Sequence, residues 1–305
     1  MSSTRLLREI FMTTPTPPSN PLPPLHRTRV LSLALNLPGP AALMRLQQMG
    51  ATCTKIEPPT SDPMARYSPQ AYGAMHAGLR VITADLKLPS GQQALHETLA
   101  QTDVLLTSFR PSALHKLGLD WGTLSAKYSR LSVIRIVGAP GARAEEAGHD
   151  LTYMAEAGLV PDVTLPPTLY ADMAGAMAAS EAVLQAVLAL HTQGRGVQLD
   201  VALSDAARWL ALPRQWALTV PSGDVGGAHA GYRVYPCADG RVAVAALEPH
   251  FALRLCQAAG LPSDTAGQMH DPATHHQLSN WFAGLSREAL DALATANDIP
   301  LLTMP

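Results

Sequence analysis

From residue 30 to residue 137, short β-branched-rich apolar runs alternate with stretches of helical period, and this alternation restricts the chain to few architectures. The run at 30–35 leads into Pro38-Gly39-Pro40, after which the pattern is helical as far as Met49. Gly50 stands just past the last turn, where a left-handed glycine commonly ends a helix. Further strands are predicted at 52–57, 81–85, 103–107 and 131–137, with a helix at 91–101. Strands separated by helices in this way pair in parallel. The predicted fold class is therefore α/β, a parallel Rossmann-like sheet flanked by helices. Ligands of such sheets bind beyond the carboxyl ends of the strands, and Arg110 and Gly138 both fall just past an expected strand end.

The pattern changes after residue 150. Residues 172–191 read as a long alanine-rich helix, closed by Thr192-Gln193-Gly194-Arg195-Gly196 and followed by an apolar strand at 197–203. A helix over 205–219 is predicted across Pro213. Pro221-Ser222-Gly223-Asp224-Val225-Gly226-Gly227 is the strongest linker signal in the chain. Beyond it, runs at 232–236 and 241–246 flank Ala238-Asp239-Gly240, a hairpin signal, and helical patterns fill the remainder. The expected organisation is a disordered proline-rich extension over 1–29, a large α/β domain over 30–220, a linker at 221–227 and a small α+β domain over 228–305. No stretch reaches the ~18 consecutive apolar residues of a membrane span, since the run at 182–190 is interrupted by Gln185.

Composition removes several function classes. The 22 basic and 24 acidic residues give a formal net charge of -2, without the clustered cationic excess that a nucleic-acid partner requires. Three scattered cysteines, Cys53, Cys237 and Cys256, form neither a zinc motif nor a disulfide framework; a reducing, cytoplasmic location is expected. No Gly-rich nucleotide loop, zinc-protease motif or nucleophile-elbow motif occurs. The histidines show no metal-ligand spacing, and His275-His276 reads as a solvated loop. Isolated polar residues in apolar or glycine-rich settings remain: His149-Asp150 after Gly148, Asp172 at the start of the long helix, and Glu248 before Pro249. Asp150 and Asp172 are equally readable as helix N-caps, and Glu248 as an exposed loop residue.

Several segments, taken in order, are similar to those of one family. They are Gly50-Ala51-Thr52-Cys53-Thr54-Lys55-Ile56-Glu57-Pro58-Pro59, Thr83-Ala84-Asp85-Leu86-Lys87, Phe109-Arg110-Pro111 with Leu117-Gly118-Leu119, Gly194-Arg195-Gly196 with Asp200, Tyr232-Arg233-Val234-Tyr235 with Asp239-Gly240, and Ala246-Leu247-Glu248-Pro249. Over about residues 30–305 the chain resembles the family III CoA-transferases and 2-methylacyl-CoA racemases, the racemase branch more closely.

The resemblance implies an acyl-CoA thioester as substrate, no tightly bound cofactor, and an interlocked homodimer. In racemases of this kind, residues matching His149 and Asp172 form the acid/base pair on opposite faces of the thioester α-carbon. Asp150 completes the Gly-His-Asp segment, and Glu248 is implied to orient the histidine. Lys55, Arg66, Arg80 and Arg110 are the implied CoA contacts. A transferase would instead use Asp172 as a nucleophile and form a mixed anhydride. The sequence also departs from the family. His76-Ala77-Gly78-Leu79-Arg80 keeps only Arg80 of a basic stretch, the glycine loop is shortened to Gly138-Ala139-Pro140-Gly141-Ala142-Arg143, and no segment matching the family's C-terminal return to the large domain follows Pro305. A non-catalytic relative is therefore the third reading.

Overall fold

The computed structural model describes residues 22–305, and the chain divides into two compact units at Arg208/Trp209. In the first unit six strands form one sheet: β1 Arg29–Ser32, β2 Thr52–Glu57, β3 Arg80–Thr83, β4 Val104–Thr107, β5 Ser132–Val137 and β6 Gln198–Ala202. Their spatial order is β3-β2-β1-β4-β5-β6, every neighbouring pair parallel. The strand order reverses between β1 and β4, which opens a crevice at their carboxyl ends. Strands buried on both faces read as continuous apolar runs rather than alternating ones; all four residues of β4 are buried.

The helices that matter for the site are α1 Pro38–Gln48, α2 Pro89–Leu99, α3 Asp150–Glu156, α4 Tyr170–Gln193 and α5 Leu203–Leu210. Gly50 closes α1 at φ 94, as its position in the sequence predicts. Helix α4 packs on α1, β5 and β6. Its Ala171, Ala176, Ala179, Val183 and Ala186 are fully buried, small side chains that let α1 and the sheet approach. By length and composition α4 is apolar enough to cross a membrane, with a mean hydropathy of 1.6; the stripe it buries is that of a core helix. A second apolar layer, built from Leu31, Leu95, Leu99, Leu105 and Val133, lies under α2.

Three boundaries differ from the sequence expectation. Order begins before Val30: Leu25 is buried and its N–H donates to the Met49 carbonyl at 2.9 Å, so residues 22–29 are not a disordered extension, while the rest of that expected extension lies outside the described residues. The helix predicted over 205–219 is two, Leu203–Leu210 and Leu212–Gln215, because Pro213 has no N–H to donate and takes a place in the first turn of the second. The 221–227 segment belongs to the second unit: Arg233 donates to the Gly227 carbonyl at 3.1 Å, and His270 bonds Asp224 at 2.7 Å.

That second unit is a three-stranded antiparallel sheet, β7 Tyr232–Cys237, β8 Gly240–Ala245 and β9 Leu301–Met304, with helices α6 Pro249–Ala258, α7 Pro272–Ala283 and α8 Arg287–Asn297. The Asp239-Gly240 hairpin forms as predicted, whereas β9, Leu-Leu-Thr-Met, was not expected as a strand. The pair His275-His276 is helical rather than loop. His275 sits in α7, its Nε2 2.8 Å from the Ala228 carbonyl.

Candidate active site

Where β1, β4 and β5 end, their following loops converge on a cleft of about 180 Å³. Leu35 and Asn36 come from the β1 exit, Ser108, Phe109 and Arg110 from β4, and Gly138 from β5; Glu146, His149, Tyr153 and Asp172 complete the polar lining. Of the sequence-predicted residues, His149, Asp172 and Arg110 are brought together here.

The local chain explains why. A Cβ on Gly138 or Gly148 would lie 2.3 or 2.5 Å from the Tyr153 hydroxyl, so only glycine lets α3 press its first turn against the exit of β5. His149 is the N-cap of α3, fixed by its N–H donating to Thr152 Oγ1 at 3.1 Å and by that hydroxyl donating back to the His149 carbonyl at 2.8 Å. Asp150, the next residue, is buried. Its Oδ1 accepts the backbone N–H of Asp172 at 2.9 Å and so ties the start of α4 to the start of α3. Neither aspartate is an N-cap; those positions are held by His149 and Leu169.

The electrostatics of Asp172 follow from this packing. Burial, joined by the charge of Asp150, pushes its carboxyl up to about 6, against a smaller downward pull from His149. The same cleft raises the Tyr153 phenol through burial and the Asp172 charge. Asn36, Ser108, Glu146 and Tyr153 were missed by sequence reasoning. The two glycines that accommodate Tyr153 were the only local signal for any of them.

A second cleft, of about 230 Å³, lies beyond β2 and β3 and is lined by Ile56, Pro58, Asp85, Leu86, Lys87 and Phe109, so Phe109 borders both. Arg66 and Arg80 are exposed and line neither; Arg80 opens β3 at its amino end. Glu248 belongs to the second unit, exposed at the N-cap of α6.

Lys55 does not fit its implied place as a CoA contact. It is fully buried and cannot meet a CoA phosphate. Its Nζ lies 2.6 Å from Asp62 Oδ2, 2.9 Å from Glu57 Oε1 and 2.8 Å from His76 Nε2. His76 Nδ1 donates to the Tyr72 carbonyl at 2.7 Å, which leaves Nε2 to accept from the ammonium; burial lowers this imidazole's pKa and keeps it neutral. Burial pushes the Glu57 carboxyl up, but the hydrogen bond and charge of Lys55, with the Tyr72 and Ser61 hydroxyls, bring it below its ordinary value. Glu57, Asp62 and His76 do converge at metal-ligand spacing, contrary to the sequence expectation, and the lysine ammonium fills the cation position between them. Asp62 also accepts the N–H of Asn36 at 3.1 Å on each oxygen, which links this nest to the cleft wall.

The profile of CoA-transferase family III matches residues 25–304. The chain belongs to that family. It is 28% identical over 312 residues to the succinyl-CoA–D-citramalate CoA-transferase of Chloroflexus aurantiacus, an alignment covering 91% of this chain and 77% of that one. It is also 30% identical to the alpha-methylacyl-CoA racemase of Homo sapiens, covering 88% and 73%. The fold is shared with the hypothetical protein Rv3272 of Mycobacterium tuberculosis, at a TM-score of 0.80 and 24% identity over 92% of this chain and 85% of that one. A CAIB/BAIF family protein from Brucella suis gives 0.76 at 24% identity over 92% and 84%.

Proposed function

We propose that this family III member acts on an acyl-CoA thioester by moving the α-proton of the acyl group, with His149 and Asp172 as the acid/base pair. The observation that carries the reading is the shared cleft of these two side chains, in which burial and Asp150 raise the Asp172 carboxyl to about 6. A carboxyl raised this far can both take up and release a proton near neutral pH, as a group that works in either direction must. One of the pair removes the α-proton while the other delivers a proton to the opposite face; the enolate oxygen between them needs a donor. The N-terminal amides of α4 are candidates, although the Asp172 N–H is already held by Asp150. The adjoining cleft with Lys87 is the place for the CoA nucleotide, on the far side of Phe109 from the reacting carbon. The sequence similarity to a 2-methylacyl-CoA racemase supports an isomerase.

A second reading, CoA transfer, is favoured by the similarity to a succinyl-CoA-dependent transferase and needs Asp172 alone, as a nucleophile. The test separates the two. Protein incubated with 2-methylacyl-CoA in deuterated water is expected to incorporate deuterium at the α-carbon, and Asp172→Asn to lose at least about 10²–10⁴-fold of that rate. No incorporation, with hydroxylamine trapping an acyl anhydride on Asp172, would replace proton transfer by the transferase reading.

A further inference from the structure

Four non-glycine residues, Asn36, Ser61, Ala217 and Asp298, hold positive φ angles among the described residues, and only Asn36 lines the catalytic cleft. At φ 63 it is in the left-handed region, where glycine carries no penalty and a side chain does. The conformation is enforced from outside. The Asn36 N–H is directed onto both oxygens of Asp62, at 3.1 Å each. Asp62 is itself fully buried and fixed by Lys55 at 2.6 Å and by the Met64 N–H at 3.0 Å. The backbone thus has a rigid reason to turn here, but nothing in that turn uses the asparagine side chain. Among the described residues its carboxamide takes part in no hydrogen bond, although Asn is well suited to bond locally. A strained position kept by surroundings that over-determine it, with an unused polar group on the cleft wall, is the pattern of a functional residue.

The geometry points to Asn36 as a specificity-determining residue whose carboxamide bonds an oxygen substituent on the acyl chain of the thioester. A carboxamide offers two donors and an acceptor on one short side chain, so it suits a hydroxyl or a carboxylate and gains nothing from an alkyl branch. The neighbouring walls agree. Ser108, Arg110, Glu146 and Tyr153 give the cleft polar character, and its volume of about 180 Å³ accommodates a short acyl group. The preferred substrates are therefore acyl-CoA thioesters with an oxygen substituent rather than plain hydrocarbon ones. This inference rests on the acyl-CoA reading above.

The decisive variant is Asn36→Gly, since glycine keeps the φ 63 turn and the N–H bonds to Asp62 while removing the side chain and with it the carboxamide. Wild type and variant would be compared on 3-hydroxybutyryl-CoA and butyryl-CoA, by α-deuterium exchange and, in parallel, by calorimetric binding. The wild type is expected to favour the hydroxyacyl thioester by about tenfold, the value of one well-made hydrogen bond, and Asn36→Gly to bring that ratio to about one with Tm unchanged or raised. A purely structural Asn36 would leave the ratio untouched in the glycine variant, and that result overturns the inference. So does a wild type with equal rates, or equal affinities where it binds without turnover. A wild type that neither binds nor turns over any CoA thioester overturns the acyl-CoA reading, and this inference with it.

Discussion

Two groups of buried acids, both in the first unit, end in opposite states. Around Lys55 the carboxylates of Glu57 and Asp62 share one ammonium, and Glu57 is held below its ordinary value despite its burial. At the start of α4, Asp172 faces another acid, Asp150, with no cation bonded to it among the described residues, and is pushed up to about 6. Both sites remove carboxylates from water. The difference is the partner: a buried charge that is paired and fully bonded is structural, whereas one left short of compensation is poised to exchange a proton. The unit therefore keeps a compensated electrostatic centre and an uncompensated one on either side of the β1 exit loop, and Asn36 belongs to the wall of the second while being held by the first.

The largest effect is expected at the nest. Lys55→Met fills the space but strips the ammonium from two buried carboxylates and should destabilise the protein by about 3–5 kcal/mol, read as a lowered urea midpoint. A change below about 1 kcal/mol would mean that the nest is not dry, and that its contrast with Asp172 is not one of compensation.

At the other pole, Asp172→Asn should stabilise, and the sign depends on pH. The folded carboxyl holds its proton up to about 6, whereas the unfolded chain loses it near 4. Wild-type stability from this group is thus full below about pH 4 and lost as pH rises from there through 6. The asparagine variant has no such loss and should be the more stable by about 1–2 kcal/mol at pH 7–8, the full shift being discounted for the solvent that Asp172 still touches. The advantage should vanish at pH 4; urea titrations at both pH values measure it.

The smallest effect sharpens the assignment. Asp150→Asn can still accept the Asp172 N–H, so the geometry survives while one charge is removed. The acid limb of the exchange rate should move downward yet stay above the ordinary aspartate value, because burial is the larger cause of the shift. An unmoved limb would assign that limb to another group.

The sheet was legible because its signals are local. Each of the six strands in the first unit overlaps an apolar run read from the sequence, and β2 was read to the residue at 52–57. Asp172 and His149 could be singled out from motif order alone. What the sequence concealed was non-local. Lys55 sits in a family-like segment and looks available to a phosphate, but its three partners lie at 57, 62 and 76, and only the packing of the helix Pro69–Met75 closes them around it. Asn36 gives no periodic or motif signal at all, since its significance is a backbone angle imposed from Asp62. Tyr153 was hidden likewise, its place being visible only as two glycines far from it in type and purpose.

The parallel order of the sheet has a consequence for how the chain is made. Arg29 and Asp103, bonded to each other across the β1–β4 junction, are 74 residues apart in sequence. A nascent chain can lay β1 against β2 early, but the other side of β1 waits for β4, and β5 waits for β6, which ends at Ala202. Until then an apolar strand edge stands open. Such late, long-range closure slows folding and exposes the edge to pairing with other chains. Synthesis paused before residue 202 is therefore the interval in which this protein should most need a chaperone.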